Sequence, residues 1–246
     1  QMDKQGLRNI NDITRVTPGI ALTPSANGGG VAGTNTVISI RGISSVVGSP
    51  TTGIYIDDTP IQSRPLGSAN NVYPQLFDLE RVEVLRGPQG TLFGAGAEGG
   101  AIRFITPRPG LDSFSGYARG ELAFTRGGAP TYELGNAFGG PLVEDRLAFR
   151  VSAWYRQEGG YINEINEFTN QITAKNANTH SSYALRGALT WKASENFSAT
   201  ISTTYQNEER DDNNSFYTTV STPGKSDFNA TRLFPSPSHD RFVLSS

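Results

Sequence analysis

Beyond residue 110 the sequence alternates between apolar and polar side chains. In residues 113–125, Ala118, Gly120, Leu122 and Phe124 fall on one side of an extended chain, and Tyr117, Arg119, Glu121 and Thr125 on the other. In residues 146–156, Leu147, Phe149, Val151, Ala153 and Tyr155 oppose Arg150, Ser152 and Arg156, with Trp154 on the polar side. In residues 182–192, Tyr183, Leu185, Gly187, Leu189 and Trp191 oppose Arg186, Thr190 and Lys192. In residues 197–206, Phe197, Ala199, Ile201, Thr203 and Tyr205 oppose Ser198, Thr200, Ser202, Thr204 and Gln206, whereas residues 131–140 alternate less cleanly. Successive strand side chains point to opposite faces, so each segment has one apolar and one polar face. Two architectures use such ribbons: a soluble β-sandwich, with apolar faces packed together, and a transmembrane β-barrel, with apolar faces turned to lipid.

Connection lengths favour the barrel. Residues 141–145 and 193–196 read as tight turns; residues 157–181 and 207–240 read as long polar connections. Outer-membrane barrels have short turns on the periplasmic side and long loops outside. The short, long, short, long order matches, although the first outer hairpin, residues 126–130, is brief. Phe124, Tyr155, Tyr183, Trp191, Phe197 and Tyr205 suit an aromatic girdle at the lipid boundary. Five strands and part of a sixth cannot close, because the smallest barrels have about eight. Residues 1–246 alone are therefore expected not to insert as a pore. With Gln1 at one end and a strand-like segment, residues 241–246, at the other, the sequence is expected to be an internal fragment.

Composition narrows the function classes. Charged residues are 18% and the net charge is −2, so no nucleic-acid partner is expected. There are no cysteines, hence no disulfide scaffold or cysteine metal site. His180 and His239 fall in separate connections without metal-site spacing, and no Ser/His/Asp set sits on a rigid turn. No catalytic residue, metal site or cofactor is therefore assigned, and an enzyme is not expected. Glu208, Glu209, Asp211 and Asp212 form an acidic run, read as solvated loop surface.

The first 109 residues follow a different pattern. Leu7, Ile10, Ile13 and Val16 form an apolar stripe of a helix over residues 6–16, ended by Pro18-Gly19. Residues 24–36, 44–53 and 62–71 read as loops, residues 37–41 and 54–56 as strands, and residues 74–79 as one helical turn. Asp57 and Asp58 precede Thr-Pro and read as turn chemistry rather than as a metal or acid/base pair. Residues 81–109 read as strand, glycine-rich excursion, strand. Gly94, Gly96 and Gly99 spell the dinucleotide fingerprint, but that motif needs a helix to begin on it. Ile102, Phe104 and Ile105 favour strand instead, and Pro107 and Pro109 forbid a helix. A glycine loop packed under strands is the better reading. The expectation is a small α+β module.

Ile40-Arg41-Gly42, then GIYIDDTPI over residues 53–61, then LERVEVLRGPQGTLFGAGAEGGAIRFIT over residues 79–106 resemble the plug domain of TonB-dependent outer-membrane receptors. The resemblance covers roughly residues 5–108. It implies an α+β plug domain, residues 1–109, followed by residues 110–246 as an incomplete antiparallel transmembrane β-barrel from a larger, 22-stranded one. It further implies a ligand-gated importer in the bacterial outer membrane, energised by TonB and its inner-membrane complex. The cargo would be a scarce large solute such as an iron–siderophore, cobalamin or an oligosaccharide, with iron–siderophore favoured. Arg41 and Arg86 would latch the plug to glutamates of the barrel wall. The plug's long polar loops supply candidate ligand-facing residues: Ser45, Val47, Ser49, Thr51, Gln62, Arg64, Asn70 and Asn71. Two rivals remain at this stage: a soluble β-rich adhesin or carbohydrate-binding module, and a nucleotide-binding enzyme.

Overall fold

The computed structural model describes residues 10–24, 36–45, 50–61, 73–94, 96–212, 214–231 and 237–246. The chain forms two compact units, Gln1–Arg108 and Pro109–Ser245.

The first unit begins with helix α1 (Ile10–Val16). Ile10 and Ile13 are buried, but Val16 is exposed, so the stripe ends one turn earlier than its spacing predicts. Gly19, at φ +81°, turns the chain into strand β1 (Ile20–Pro24), which pairs antiparallel with β2 (Thr36–Ile40). The sequence reading missed β1, because five residues are too few to establish a period. A second sheet contains β3 (Thr52–Ile56), β4 (Thr59–Pro60), β5 (Arg81–Arg86) and β6 (Gly100–Ile105) in the order β4-β3-β6-β5. Strands β3 and β6 run parallel, and β5 lies antiparallel to β6 at an edge. Ile38, Ile40, Ile54, Ile102 and Phe104 form the core with Ile10, Ile13 and Leu76.

Residues 74–79 are not the expected helical turn. Asp78 adopts φ +51°, which breaks any helix, while Leu76 and Phe77 are buried as a bend. Asp57 and Asp58 form the β3–β4 turn. The Asp57 carboxylate accepts hydrogen bonds from the Thr106 backbone N–H (2.8 Å) and hydroxyl (2.8 Å). The glycine excursion holds a single helical turn, α2 (Gly90–Phe93), and then returns directly into β6. Gly100 is compelled by space: a Cβ there would lie 2.2 Å from the Leu85 carbonyl oxygen, at φ +147°. Among the described residues no helix begins on Gly94, Gly96 or Gly99, and the chain enters strand β6 at Gly100, so the dinucleotide geometry is not formed.

The second unit is dominated by six antiparallel strands: β7 (Ser115–Phe124), β8 (Pro130–Val143), β9 (Leu147–Glu158), β12 (His180–Ser194), β13 (Phe197–Arg210) and β15 (Ser238–Ser245). Their order is β15-β13-β12-β9-β8-β7, an uninterrupted meander. The β8–β9 and β12–β13 turns are short, with register shifts beside each. The long connections are not plain loops. They contain β10 (Ile162–Ile165), β11 (Ile172–Ala174) and β14 (Phe228–Ala230), a small sheet in which β10 pairs antiparallel with β11 and parallel with β14. Asn178, buried, accepts the Tyr161 and Ile162 N–H groups and donates to Asn214 at 2.8 Å, adding a second tie between the same connections. Polar composition hid these strands.

The apolar face of the six-stranded sheet is open. Leu122, Phe124, Leu134, Ile201 and Val243 are 65%, 77%, 72%, 67% and 64% exposed. Among the described residues no second apolar layer covers them, unlike the facing sheets of a sandwich. Tyr132 packs beside Tyr155, and Tyr183 beside Tyr205, at one end of this face; Trp191 packs against Phe197 at the other. Tyr183 and Trp191 are eight positions apart on β12. At ~3.4 Å per residue that is ~27 Å along the strand, or ~20 Å in height at a barrel tilt of ~40°. The value approaches the ~25 Å apolar band of outer-membrane barrels.

Candidate functional site

In the first unit the two sequence-predicted arginines come together. Ile40 and Ile43 exchange backbone hydrogen bonds of 3.2 and 3.0 Å around Arg41 and Gly42, at φ +54° and +81°. Two successive positive φ values make this a type I′ turn, so Arg41 sits on its tip rather than in the strand expected over residues 37–41. Arg86 ends β5 and donates to the Pro18 carbonyl oxygen at 3.2 Å. A Cβ on Gly87 would lie 3.8 Å from the Arg41 guanidinium, so that side chain lies across the glycine following Arg86. Both arginines are exposed, and among the described residues neither pairs with a carboxylate. The two exposed arginines thus lie on neighbouring turns, with the Arg41 side chain beside the glycine that follows Arg86.

Arg103 on β6 behaves differently. It bridges Glu83 at 2.7 Å and Asp58 at 2.5 Å, while Arg81 holds the other Glu83 oxygen at 2.7 Å. The hydrogen bond from Arg81 keeps the Glu83 carboxyl below its ordinary range, against an opposing desolvation and with help from the nearby Arg103 charge. These pairs fasten the edge of the sheet.

Of the candidate ligand-facing residues, Ser45 and Thr51 are half-buried at the ends of one loop, and the Thr51 carbonyl accepts the Gly99 N–H at 2.8 Å. Val47, Ser49, Gln62, Arg64, Asn70 and Asn71 lie outside the described residues.

In the second unit the polar face carries a charge network that the sequence reading did not assemble. Glu133 on β8, with its side chain 1% exposed, accepts from Arg119 on β7, from the Trp154 indole N–H at 2.9 Å and from Arg156 at 2.6 Å. Arg156 also meets Glu158 at 3.0 Å; His180 lies 3.4 Å from Glu158 and 3.6 Å from Glu208. The chain of contacts crosses five strands. Glu208 is therefore part of a strand network rather than solvated loop, and Asp212 is buried. His180 and His239 likewise sit on β12 and β15, not in connections. The signal available beforehand was register: a tight β8–β9 turn places Glu133 directly opposite Arg156.

Comparison with known proteins agrees with this geometry. Residues 1–101 match the TonB-dependent receptor plug domain family. The chain is 36% identical over 115 residues to the ferric enterobactin receptor PirA of Pseudomonas aeruginosa, covering 42% of this chain and 15% of that protein. It is 28% identical over 209 residues to the probable TonB-dependent siderophore receptor PirA of Acinetobacter baumannii, covering 79% of this chain and 26% of that one. The ferripyoverdine receptor of the Pseudomonas aeruginosa outer membrane superposes with TM-score 0.68 at 23% identity, covering 99% of this chain and 30% of the other, a likeness of fold. The chain thus spans about a quarter or less of the curated relatives' length. Residues 1–101 belong to the TonB-dependent receptor plug domain family, and the antiparallel strands that follow share the fold of the N-terminal part of the barrel in such receptors.

Proposed function

We propose that the full-length protein is a ligand-gated, TonB-energised importer of a ferric siderophore across the outer membrane. The observation that carries this is the two-faced second unit, a wide open apolar face with aromatic belts backed by a buried polar network, joined in one chain to a plug-family unit. The siderophore cargo rests on the relatives' names alone. In this reading residues 1–109 block the lumen and residues 110–246 begin its wall. Ser45, Val47, Ser49, Thr51, Gln62, Arg64, Asn70 and Asn71 would face the cargo. Arg41 and Arg86 would latch the plug to wall carboxylates. Their adjacency and lack of a carboxylate among the described residues support that role. Glu133 is a poor latch partner, because its oxygens already receive two arginines and a tryptophan.

The test is uptake of iron-55 siderophores by cells that depend on the full-length receptor. Wild type should restore uptake, and deletion of TonB should abolish it. Arg41→Ala with Arg86→Ala should lower uptake and raise plug proteolysis while leaving ligand binding in place. TonB-independent uptake, or a double variant indistinguishable from wild type, would refute importer and latch respectively.

A further inference from the structure

Where three strands of the second unit end, an imidazole stands between two carboxylates. Glu158 is the last residue of β9, His180 the first of β12 and Arg210 the last of β13, and the register sets His180 opposite both of the others. The two long connections depart from these ends, and the Asp211 N–H donates to the Thr179 carbonyl oxygen at 2.9 Å just beyond them. His180 Nδ1 lies 3.4 Å from Glu158, and Nε2 lies 3.6 Å from Glu208 and 3.1 Å from the buried Ser182 hydroxyl. The other charges that face it come from each neighbouring strand. On β9 Arg156 holds Glu158 at 3.0 Å, and on β13 Arg210 lies 3.8 Å from Glu208. Farther out, Glu133 of β8 holds Arg156, Asp240 of β15 is opposite Glu208 in register, and Asp212 is buried past the end of β13.

Protonation decides how many of these contacts can form. An imidazolium donates from both ring nitrogens; a neutral imidazole donates from one and needs a donor at the other. If Nδ1 keeps its proton for the closer carboxylate, Glu158, the bare Nε2 accepts from the Ser182 hydroxyl and Glu208 loses its tie. The charged form is favoured in place: burial disfavours it, but the hydrogen bonds with Glu158 and Glu208 outweigh burial and the Arg210 charge, so the proton is held beyond the ordinary histidine range. His180 is three positions beyond Tyr183, ~10 Å along the strand and ~8 Å outside the apolar band. The Glu158 side chain beside it is 47% exposed, so the proton exchanges with the aqueous medium. Because β10 pairs with β14 and Asn178 with Asn214, a root loosened on β13 reaches both connections.

Resting on the membrane-spanning reading above, we propose that His180 is a proton-operated clasp at the roots of the two outer connections: charged, it ties β9, β12 and β13 together; uncharged, it releases β13. The folded chain holds this proton more tightly than the unfolded one. The clasp therefore contributes fully below about pH 6.5 and is lost as pH rises through the higher folded-state value. The outer connections are firm in an acidic medium and loose in an alkaline one.

The full-length receptor is inserted in phosphatidylethanolamine nanodiscs, and amide hydrogen exchange is followed by mass spectrometry between pH 6 and about pH 8.5. Results are expressed as protection factors, which cancel the intrinsic pH dependence of exchange. In wild type, protection of β10 and β14 should fall about two- to fivefold over this range, the scale of one partly exposed ion pair. Protection of residues 185–189, in the middle of β12, should stay level. His180→Gln should show the low value at both ends of the range, and His180→Arg, cationic throughout, the high one. His239→Gln should titrate like wild type. A flat wild-type profile, or an undiminished pH dependence in His180→Gln, overturns the clasp. So does an equal fall at residues 185–189, because the whole sheet rather than its roots would then be titrating. Cargo uptake is not read, so a failed importer reading leaves this result standing; a receptor that never gives a heat-modifiable, inserted band refutes the barrel and the clasp with it.

Discussion

Replacing Glu133 with glutamine removes one buried negative charge and keeps its shape. The side chains of Glu133, Arg119 and Arg156 are 1%, 8% and 18% exposed, so solvent cannot replace the lost charge. Breaking a buried ion pair from one side costs about 3–5 kcal/mol. The lower end applies, since Arg156 keeps Glu158 at 3.0 Å and Glu121 at 3.5 Å. A loss of about 3 kcal/mol lowers the folding equilibrium about a hundredfold. Urea titration of the full-length receptor in vesicles, scored by heat-modifiable mobility, reads this directly. Adding Arg119→Met to Glu133→Gln should recover much of the loss, because it removes the excess cation and leaves apolar surface. The reasoning fails if Glu133→Gln unfolds at the wild-type urea concentration, or if the second substitution deepens the defect.

Three further outcomes follow from the geometry. Gly100→Ala should push β5 off β6, because its Cβ meets the Leu85 carbonyl at 2.2 Å, and limited proteolysis should cut residues 81–105 faster than in wild type. Leu134→Arg, on the open face two positions from the Tyr132 belt, should cost barrel stability between the ~1 kcal/mol of the interface and the ~2–4 kcal/mol of the midplane, read by the same urea assay. Glu83 has a folded-state pKa below its unfolded one, so it contributes stability at neutral pH that is lost as pH falls through the carboxylate range. Glu83→Gln should therefore lower neutral-pH stability of the plug and flatten its acid limb, measured by hydrogen exchange of β5 and β6 at several pH values.

Periodicity was legible wherever one face met a single environment throughout. Leu147 to Tyr155 and Phe197 to Tyr205 gave their faces away because lipid-facing positions admit little but apolar side chains. Short elements were not legible: β1 has five residues, and β10, β11 and β14 have three or four, below the length at which alternation differs from chance. Arg41 was assigned to the wrong element because a type I′ turn is favoured by Asn or Asp with Gly, and arginine at positive φ gives no such signal. The network around Glu133 needed register, which depends on turn lengths and on the bulges beside them rather than on composition.

The parallel pairing of β10 with β14 makes two segments some sixty residues apart one piece of sheet. Exchanging either segment alone with that of a related receptor would strand the remaining partner's backbone groups without a mate. Recombination between such genes would therefore succeed when both crossed together, and variation in one would be followed by matching variation in the other.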